Sequence, residues 1–478
     1  MIDILTYNDL LEIGENERDR MEFVLSAIRE HKASKDYAIA ADAELYYKHQ
    51  NPTIMRFQKF VYNQFGQKVP DVWSPNNKIA SNWYNYFTVQ KNSYLLGNGV
   101  TFGKDDTKKK LGKDFDKKVQ DAATSASNGG VAFGYWNNDH LEVFHLNDSP
   151  QHPGFVPLWD AEDASLKAGI RYWQIDDNKP LRATLYELDG YTDYIKRKDK
   201  DMEVLTEKKT YIYDAITLKE SGQVIEETNF RNYDRFPIVP IWNVSHQSDL
   251  VGNQGTLDGY DLTISGLLNN LDDGEFIYWI LKNCGGMDEL DDAKFIEQLK
   301  LTHVAHADGD DGASVEAHNV TVEFEATAEA LDRLEKQLFK DFMALKVEDI
   351  GAGATNDQIQ AAYEPINQKT DQFEYCVTEF INGILELAGI EDEPTYTRSQ
   401  MSNQSELLEM VLQCAEYLDD EYVTTKILTL LGDADKAQEV LKRKDAEAAD
   451  RYKQQEAELE KLRKQQNNEP SEENPVEE

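Results

Sequence analysis

The sequence predicts an α+β chain in which helical segments flank a central antiparallel β region. Three observations carry this reading. Apolar residues recur at helical spacing as far as Gly129, the period changes to two from Val131, and the helical period returns after Val251. Gly, Asn and Asp cluster at the changes, where the chain needs turns.

The elements follow in order. The first ~50 residues read as helices, with Met21, Val24, Leu25 and Ile28 at helical spacing. Asn76-Asn77 opens a third helix, with Ile79, Trp83, Phe87 and Tyr94 near one face. Gly97 ends it in the glycine position that tolerates positive φ. DDTKKKLGKDFDKKVQDAATSAS gives another helix, stopped by Gly129-Gly130. VAFGYW and LEVFHL, joined through Asn137-Asn138-Asp139, form a hairpin signal. GIRYWQI, LRATLYEL, YTDYIKR and KKTYIYDAITL extend it into one meander of about six strands that ends near FPIVPIWN at 236–243.

Thr256 can cap a long helix running to about Cys284, with a stripe of Leu257, Tyr260, Ile264, Leu267, Leu268 and Leu271. Its length would be roughly 42 Å. Gly285-Gly286 terminates it. Residues 287–326 are short and mixed, with β-like runs around an acidic loop, Asp308 to Gly312. Thr327 caps a second helix through Leu331, Leu334, Leu338, Phe342 and Leu345. After the loop VEDIGAGAT, the Thr355-x-x-Gln358 capping box opens a long helix to Leu387 that Pro365 should kink. Two shorter helices fall in 398–431, a solvated one in 435–466, and 467–478 reads as a disordered acidic tail.

The chain has 478 residues, 50 Lys+Arg against 89 Asp+Glu, and a net charge of −39. Such a surface excludes binding that wraps nucleic acid by neutralising phosphates. Three cysteines, Cys284, Cys376 and Cys414, make no disulfide framework and read as thiols in a reducing compartment. The N-terminus lacks the pattern of a signal peptide, and no apolar run is long enough to span a bilayer.

Motifs for chemistry are scarce. Gly97, Gly99 and Gly103 miss the dinucleotide spacing and follow a helix rather than a strand. The acidic loop places glycine where a calcium loop needs a ligand. His303 and His306 would face opposite sides of a β-like run, and neither HExxH nor GxSxG occurs. No cofactor, metal site or catalytic residue is expected.

Three features call for a reason. Gly259, Gly266 and Gly274 lie near one face of the first long helix, at about 1 kcal/mol each relative to alanine. They allow close approach of neighbouring helices, or else the helix breaks near Gly274. Arg333, Lys336 and Lys340 form a basic stripe on the second helix: a solvated face, partners for acids such as Asp272 and Asp273 on a neighbour, or a contact to a polyanion. The loop Val347, Glu348, Asp349, Ile350, Gly351, Ala352, Gly353, Ala354, Thr355 is either a linker or a mobile loop reaching into a shared space.

YYKHQNPTIMRF and NNKIASNWYNYFTVQKNSYLLGNGVTF (46–102) resemble the N-terminal signature of tailed-phage portal proteins, of the type found in siphoviruses of Gram-positive hosts. YDLTISGLLNNLDDGEFIYWILKNCG (260–285) resembles that family's first stem helix, and EATAEALDRLEKQLFKDF (325–342) its second. The segment 347–387 and FEYCVTEFINGILELAG resemble its tunnel loop and long radial helix. The resemblance covers about residues 40–390.

It implies the portal fold: a wing (1–255), a first stem helix (256–286), a clip (287–326), a second stem helix (327–346), a tunnel loop (347–355), a kinked wing helix (356–395), a helical crown (396–466) and the tail. It further implies no enzymatic activity and a ring of about a dozen copies at one capsid vertex. Double-stranded DNA would pass through the channel without sequence-specific binding. The expected partners are the terminase large subunit, a head-tail adaptor, and the major capsid and scaffolding proteins, with no membrane. The expected place is the virion, after assembly in the host cytoplasm. The rivals are a metal-dependent DNA-processing enzyme and an oligomeric capsid scaffold without a channel.

Overall fold

The computed structural model describes residues 5–466 apart from 63–64, 73, 105, 221–222, 275–277, 283–313, 319–323, 352, 399, 401–403, 416 and 434–435. Cys284, the acidic loop, His303, His306, Ala352, the tail and most of the expected clip therefore lie outside the described residues. The chain divides into two compact units. One comprises Met1–Leu345 with Pro365–Ser399, the other Lys346–Glu364 with Gln400–Glu478.

The first unit opens with helices α1 (Tyr7–Ile13), α2 (Glu17–Ala33), α3 (Lys35–Tyr47) and α4 (Pro52–Arg56). A capping box at Thr6/Asp9 starts α1, and the Asn16 and Ser34 side chains cap α2 and α3. A small hairpin follows, β1 (Phe60–Tyr62) with β2 (Lys68–Pro70). Helix α5 runs Trp83–Leu96, not from Asn76-Asn77 as the sequence suggests, because 76–81 is held extended by side chains described below. Gly97 is itself helical, with φ −62°, and the positive φ falls on Gly99, at +75°. Strand β3 (Val100–Phe102) and helices α6 (Thr107–Lys110) and α7 (Phe115–Gly129) lead to Gly130, which closes α7 at φ +82°.

The expected single meander is in fact three separate pairings. Strands β4 (Val131–Asn137) and β5 (His140–Phe144) form the predicted hairpin. Five strands, β6 (Gly154–Trp159), β7 (Leu166–Trp173), β8 (Leu181–Glu187), β9 (Gly190–Lys196) and β10 (Met202–Lys209), form their own antiparallel sheet. Strands β11 (Ile212–Glu220) and β12 (Gln223–Arg231) pair only with each other, and β13 (Ile238–Trp242) returns to β4. The physical reason is burial. Six consecutive residues of β4, Val131 to Trp136, are buried, so β4 is a central strand needing a neighbour on each edge.

Four clusters make the core of this unit. Helices α1 and α2 cover one face of the five-stranded sheet through Leu10, Phe23, Val24 and Ile28. Aromatic residues Phe133, Tyr135, Phe144, Phe155 and Tyr186 fill the space between the two sheets. The three-stranded sheet packs against Phe373, Phe380 and Ile384 of a late helix. That approach needs glycine on both sides: a Cβ on Gly134 would lie 2.4 Å from the Phe380 ring, and one on Gly383 2.7 Å from Val239. The fourth cluster joins Tyr46, Tyr84 and Phe87 to Leu257, Leu338 and Phe342.

Helix α8 is described over Gln254–Gly274, and by Tyr278 the chain is a strand, so the helix does not run to Cys284; Thr256 lies inside its first turn. The aromatic and branched run Tyr278–Lys282 is strand β14, paired antiparallel with β15 (Ser314–His318). Helix α9 runs Phe324–Asp341, beginning before Thr327. Helix α10 (Asn356–Leu387) is continuous through Pro365. Its residues to Glu364 belong to the second unit, the rest to the first. Strand β16 (Pro394–Tyr396) pairs with β3. The second unit adds α11 (Gln404–Cys414), α12 (Asp420–Leu430) and α13 (Ala437–Gln466).

Candidate functional site

Helices α8 and α9 pack on each other and carry most of the residues the sequence singles out. The buried row on α8 is largely polar: Leu257, Asp261, Ser265 and Asn269. The last three accept hydrogen bonds from the backbone of 76–81. Asn77 N–H donates to Asn269 Oδ1 at 2.7 Å, Ile79 N–H to Ser265 Oγ at 3.0 Å, and Ser81 N–H to Asp261 Oδ1 at 3.0 Å. The spacing explains the match. Four residues of helix rise ~6.0 Å, and two residues of extended chain ~6.6 Å, so alternate amides of a strap meet every fourth helical side chain. Asn51 Nδ2 donates to Asp261 at 2.7 Å and to Asp258 at 3.0 Å, and the Tyr46 hydroxyl donates to Asp258. Burial pushes the Asp261 carboxyl up, against the opposing pull of its Ser81 and Asn51 donors.

A second buried polar node lies where α8 begins and α9 ends. Lys91 of α5, only 2% exposed, donates to Asp249 at 2.6 Å and to Asn243 at 2.9 Å. Lys369 of α10 reaches the other Asp249 oxygen at 3.5 Å and donates to the Phe342 carbonyl at 3.2 Å. Burial alone would raise the Asp249 carboxyl, but Lys91 and Lys369 hold it below the carboxylate range. Burial likewise pushes the Lys91 ammonium below the lysine range, against Asp249. One carboxylate thus ties α5, the turn into α8 and α10 together, and Lys369 extends the node to the end of α9.

Neither feature was read from the sequence. Asp261, Ser265 and Asn269 at four-residue spacing were the available signal, but the leucine stripe beside them suggested the buried face. In the structure the stripe divides: Leu257 is buried, while Leu268 and Leu271 are exposed.

The predicted residues fall as follows. Gly259 faces Leu334 of α9, 3.9 Å from where a Cβ would sit. Among the described residues, Gly266 has nothing beyond its own stretch of helix within 4 Å of that position, and Gly274 is the last described residue of α8. Arg333 pairs with Glu329 at 2.5 Å and Lys336 with Asp332 at 2.6 Å, both one turn back on α9, while Lys340 is exposed. Asp272 accepts from the Asn77 side chain at 2.6 Å rather than from this stripe.

In the second unit Val347–Asp349 is a 3-10 turn, and Val347 is exposed. Glu348 lies 3.8 Å from Lys346 Nζ. Ile350 N–H donates to the Val347 carbonyl, and Ala354 N–H to that of Gly351. Gly353 has φ +93°. The capping box is present: Thr355 N–H donates to Gln358 Oε1 at 3.1 Å, and Gln358 N–H to Thr355 Oγ1 at 3.4 Å. Asn356 N–H donates to Glu406 at 2.8 Å. Among the described residues, no cluster of three or more His, Cys, Asp or Glu could hold a metal ion, and no helix is long and apolar enough to cross a membrane.

The architecture is that of a mixed helix-and-sheet protein with antiparallel sheets and a helix pair rooted in a buried polar junction. The chain belongs to the phage portal protein family. The model of that family described as phage portal protein, SPP1 Gp6-like, matches residues 28–467, and with the family comes a portal role at the capsid vertex of the virion. The chain is 24% identical over 398 residues to the portal protein of Bacillus phage SPP1, covering 77% of this chain and 76% of that protein. It is 27% identical over 363 residues to the portal protein of Clostridium phage phiCD119, covering 69% and 77%. Among solved structures, a chain of the neck of a native gene transfer agent particle, computed with C12 symmetry, aligns with 9% identity and a TM-score of 0.39. It covers 73% of this chain and 90% of that one.

Proposed function

We propose that this chain forms a ring of about a dozen copies around an axial channel that conducts double-stranded DNA. Family membership over residues 28–467 is the observation that carries the reading. DNA enters through the terminase large subunit and leaves through a head-tail adaptor docked on the ring. The major capsid and scaffolding proteins surround the ring at the vertex. The ring itself performs no catalysis.

The chemistry agrees with passage rather than grip. A charge of −39 per copy makes a conduit whose wall repels phosphates within about 8 Å at physiological salt. Helices α8 and α9 serve as the stem, and Leu268 and Leu271 are the apolar surface a neighbouring copy covers. Gly266, on another face of α8, leaves room for a second neighbour, whereas Gly259 faces Leu334 of the chain's own α9. Arg333 and Lys336, already paired on their own helix, keep the stem soluble rather than hold DNA.

Residues 347–355 are the loop that rides against DNA. Glu348 and Asp349 keep its contacts weak, and Gly353 gives it a left-handed turn. Proline holds φ near −65°, so replacing Gly351 and Gly353 by proline breaks that turn. Rings of this variant should form and engage the motor, while the yield of nuclease-protected DNA in an in vitro packaging assay falls. Packaging at the wild-type yield would remove the loop from the mechanism.

A further inference from the structure

The hairpin β1–β2 departs from the rest of the surface. Its strands are three residues each and pair only with one another, in the register Phe60↔Pro70, Val61↔Val69, Tyr62↔Lys68. A hairpin this short is marginal alone in water. Yet Phe57, Phe60, Val61, Tyr62, Phe65 and Val72 are all exposed, Tyr62 at 76% and Val72 at 78%. These apolar side chains lie within sixteen residues of chain, Phe57 to Val72. Large exposed apolar groups gathered on a small two-stranded element mark a contact surface.

The root of the hairpin is fixed. Asp71 is buried and accepts from Ser74 N–H at 3.1 Å, Asp71 N–H donates to the Lys59 carbonyl at 2.9 Å, and Lys59 Nζ donates to the Pro75 carbonyl at 2.7 Å. Pro75 leads directly into the strap bonded to α8, so the hairpin and the stem share one stretch of backbone.

The charge of the hairpin identifies its occupant. Arg56, Lys59 and Lys68 lie in a segment whose one acid, Asp71, is buried at its root, whereas the whole chain carries −39. Lys68 Nζ sits 4.4 Å from the Phe60 ring centre, which places a cation within the apolar patch. A basic and aromatic arm complements a strongly acidic surface, and the acidic surface a ring supplies to each copy is the next copy.

We infer that β1–β2 is an arm that docks on the adjacent copy of this chain and holds neighbouring subunits in register. This rests on the ring proposed above. A ring contact is heterologous, so the arm of one copy meets a different face of the next, and one arm per subunit closes the circle. The aromatics supply apolar burial, and the lysines and arginine offset part of the repulsion between acidic subunits.

The test uses the purified full-length chain. Tyr62→Asp and Val72→Asp together reverse the arm's character at two exposed positions. Light scattering after size-exclusion chromatography should show the ring fraction reduced at least about tenfold at equal concentration, with the melting temperature of the dissociated subunit unchanged. A photo-crosslinking residue at position 62 should join copies into covalent ladders within wild-type rings. Rings of the double variant at wild-type yield, together with no chain-to-chain crosslink from position 62, would overturn the proposal and assign the arm to another partner, such as a capsid or adaptor protein. A wild-type chain that stays monomeric would instead contradict the ring reading on which the arm depends.

Discussion

Asp249 is a buried carboxylate held between two cations, Lys91 and Lys369. Its pKa in the folded chain lies below the unfolded value of about 3.9, so the folded form takes up its proton later on acidification. The stabilisation from the Lys91–Asp249–Lys369 node is therefore complete above about pH 4 and fades as pH falls through the folded value. Asp249→Asn should flatten this part of the acid limb when urea midpoints are compared between pH 7 and pH 3. Lys91→Met should destabilise the first unit by about 3 kcal/mol at pH 7, because the carboxylate stays buried with one cation gone. An unaltered acid limb in Asp249→Asn would mean that the pair does not govern the junction.

Elements show where the sequence was legible and where it was not. The capping box at Thr355 and Gln358 was readable because it depends on neighbours three residues apart, and it is there at hydrogen-bond distance. The hairpin at Asn137 to Asp139 was readable for the same reason. The identity of the strap was not, because Asn77, Ile79 and Ser81 are held extended by groups nearly two hundred residues away, and local periodicity carries no trace of them. The leucines of α8 misled in a related way. A stripe normally faces its own core, whereas Leu268 and Leu271 lie on the exposed side of this chain. The family could be named from local strings such as YLLGNGVTF, but the residues that bind α8 to the strap at 76–81 could not. Ser265→Ala would strand the Ile79 amide, at about 1–3 kcal/mol. Hydrogen exchange at Ile79 should quicken in this variant while β4 stays protected, and unchanged exchange would remove the ladder from the account. Gly266→Leu should leave the subunit fold intact, since no described atom beyond the adjoining helix lies within 4 Å of the new Cβ, and should reduce ring formation in light scattering. Wild-type rings from that variant would show that no neighbour approaches this face.

At the scale of the whole molecule, a portal subunit has to reconcile strong negative charge with close association. The sequence exposes the problem through its −39 balance, and the proposed ring would answer it with two exposed apolar surfaces, the leucines of α8 and the aromatic arm. Local charge pairs such as Arg333–Glu329 leave that balance unchanged, so apolar contact has to supply the attraction between copies. The central claim is that these copies close into a ring around an open axis, and electron microscopy of the purified chain viewed end-on tests it most directly. The account predicts closed rings of about twelve subunits, near 650 kDa for a chain of 54.7 kDa, each with a central channel wide enough for a DNA duplex. Particles that stay monomeric or dimeric, or rings with a filled centre, would contradict it.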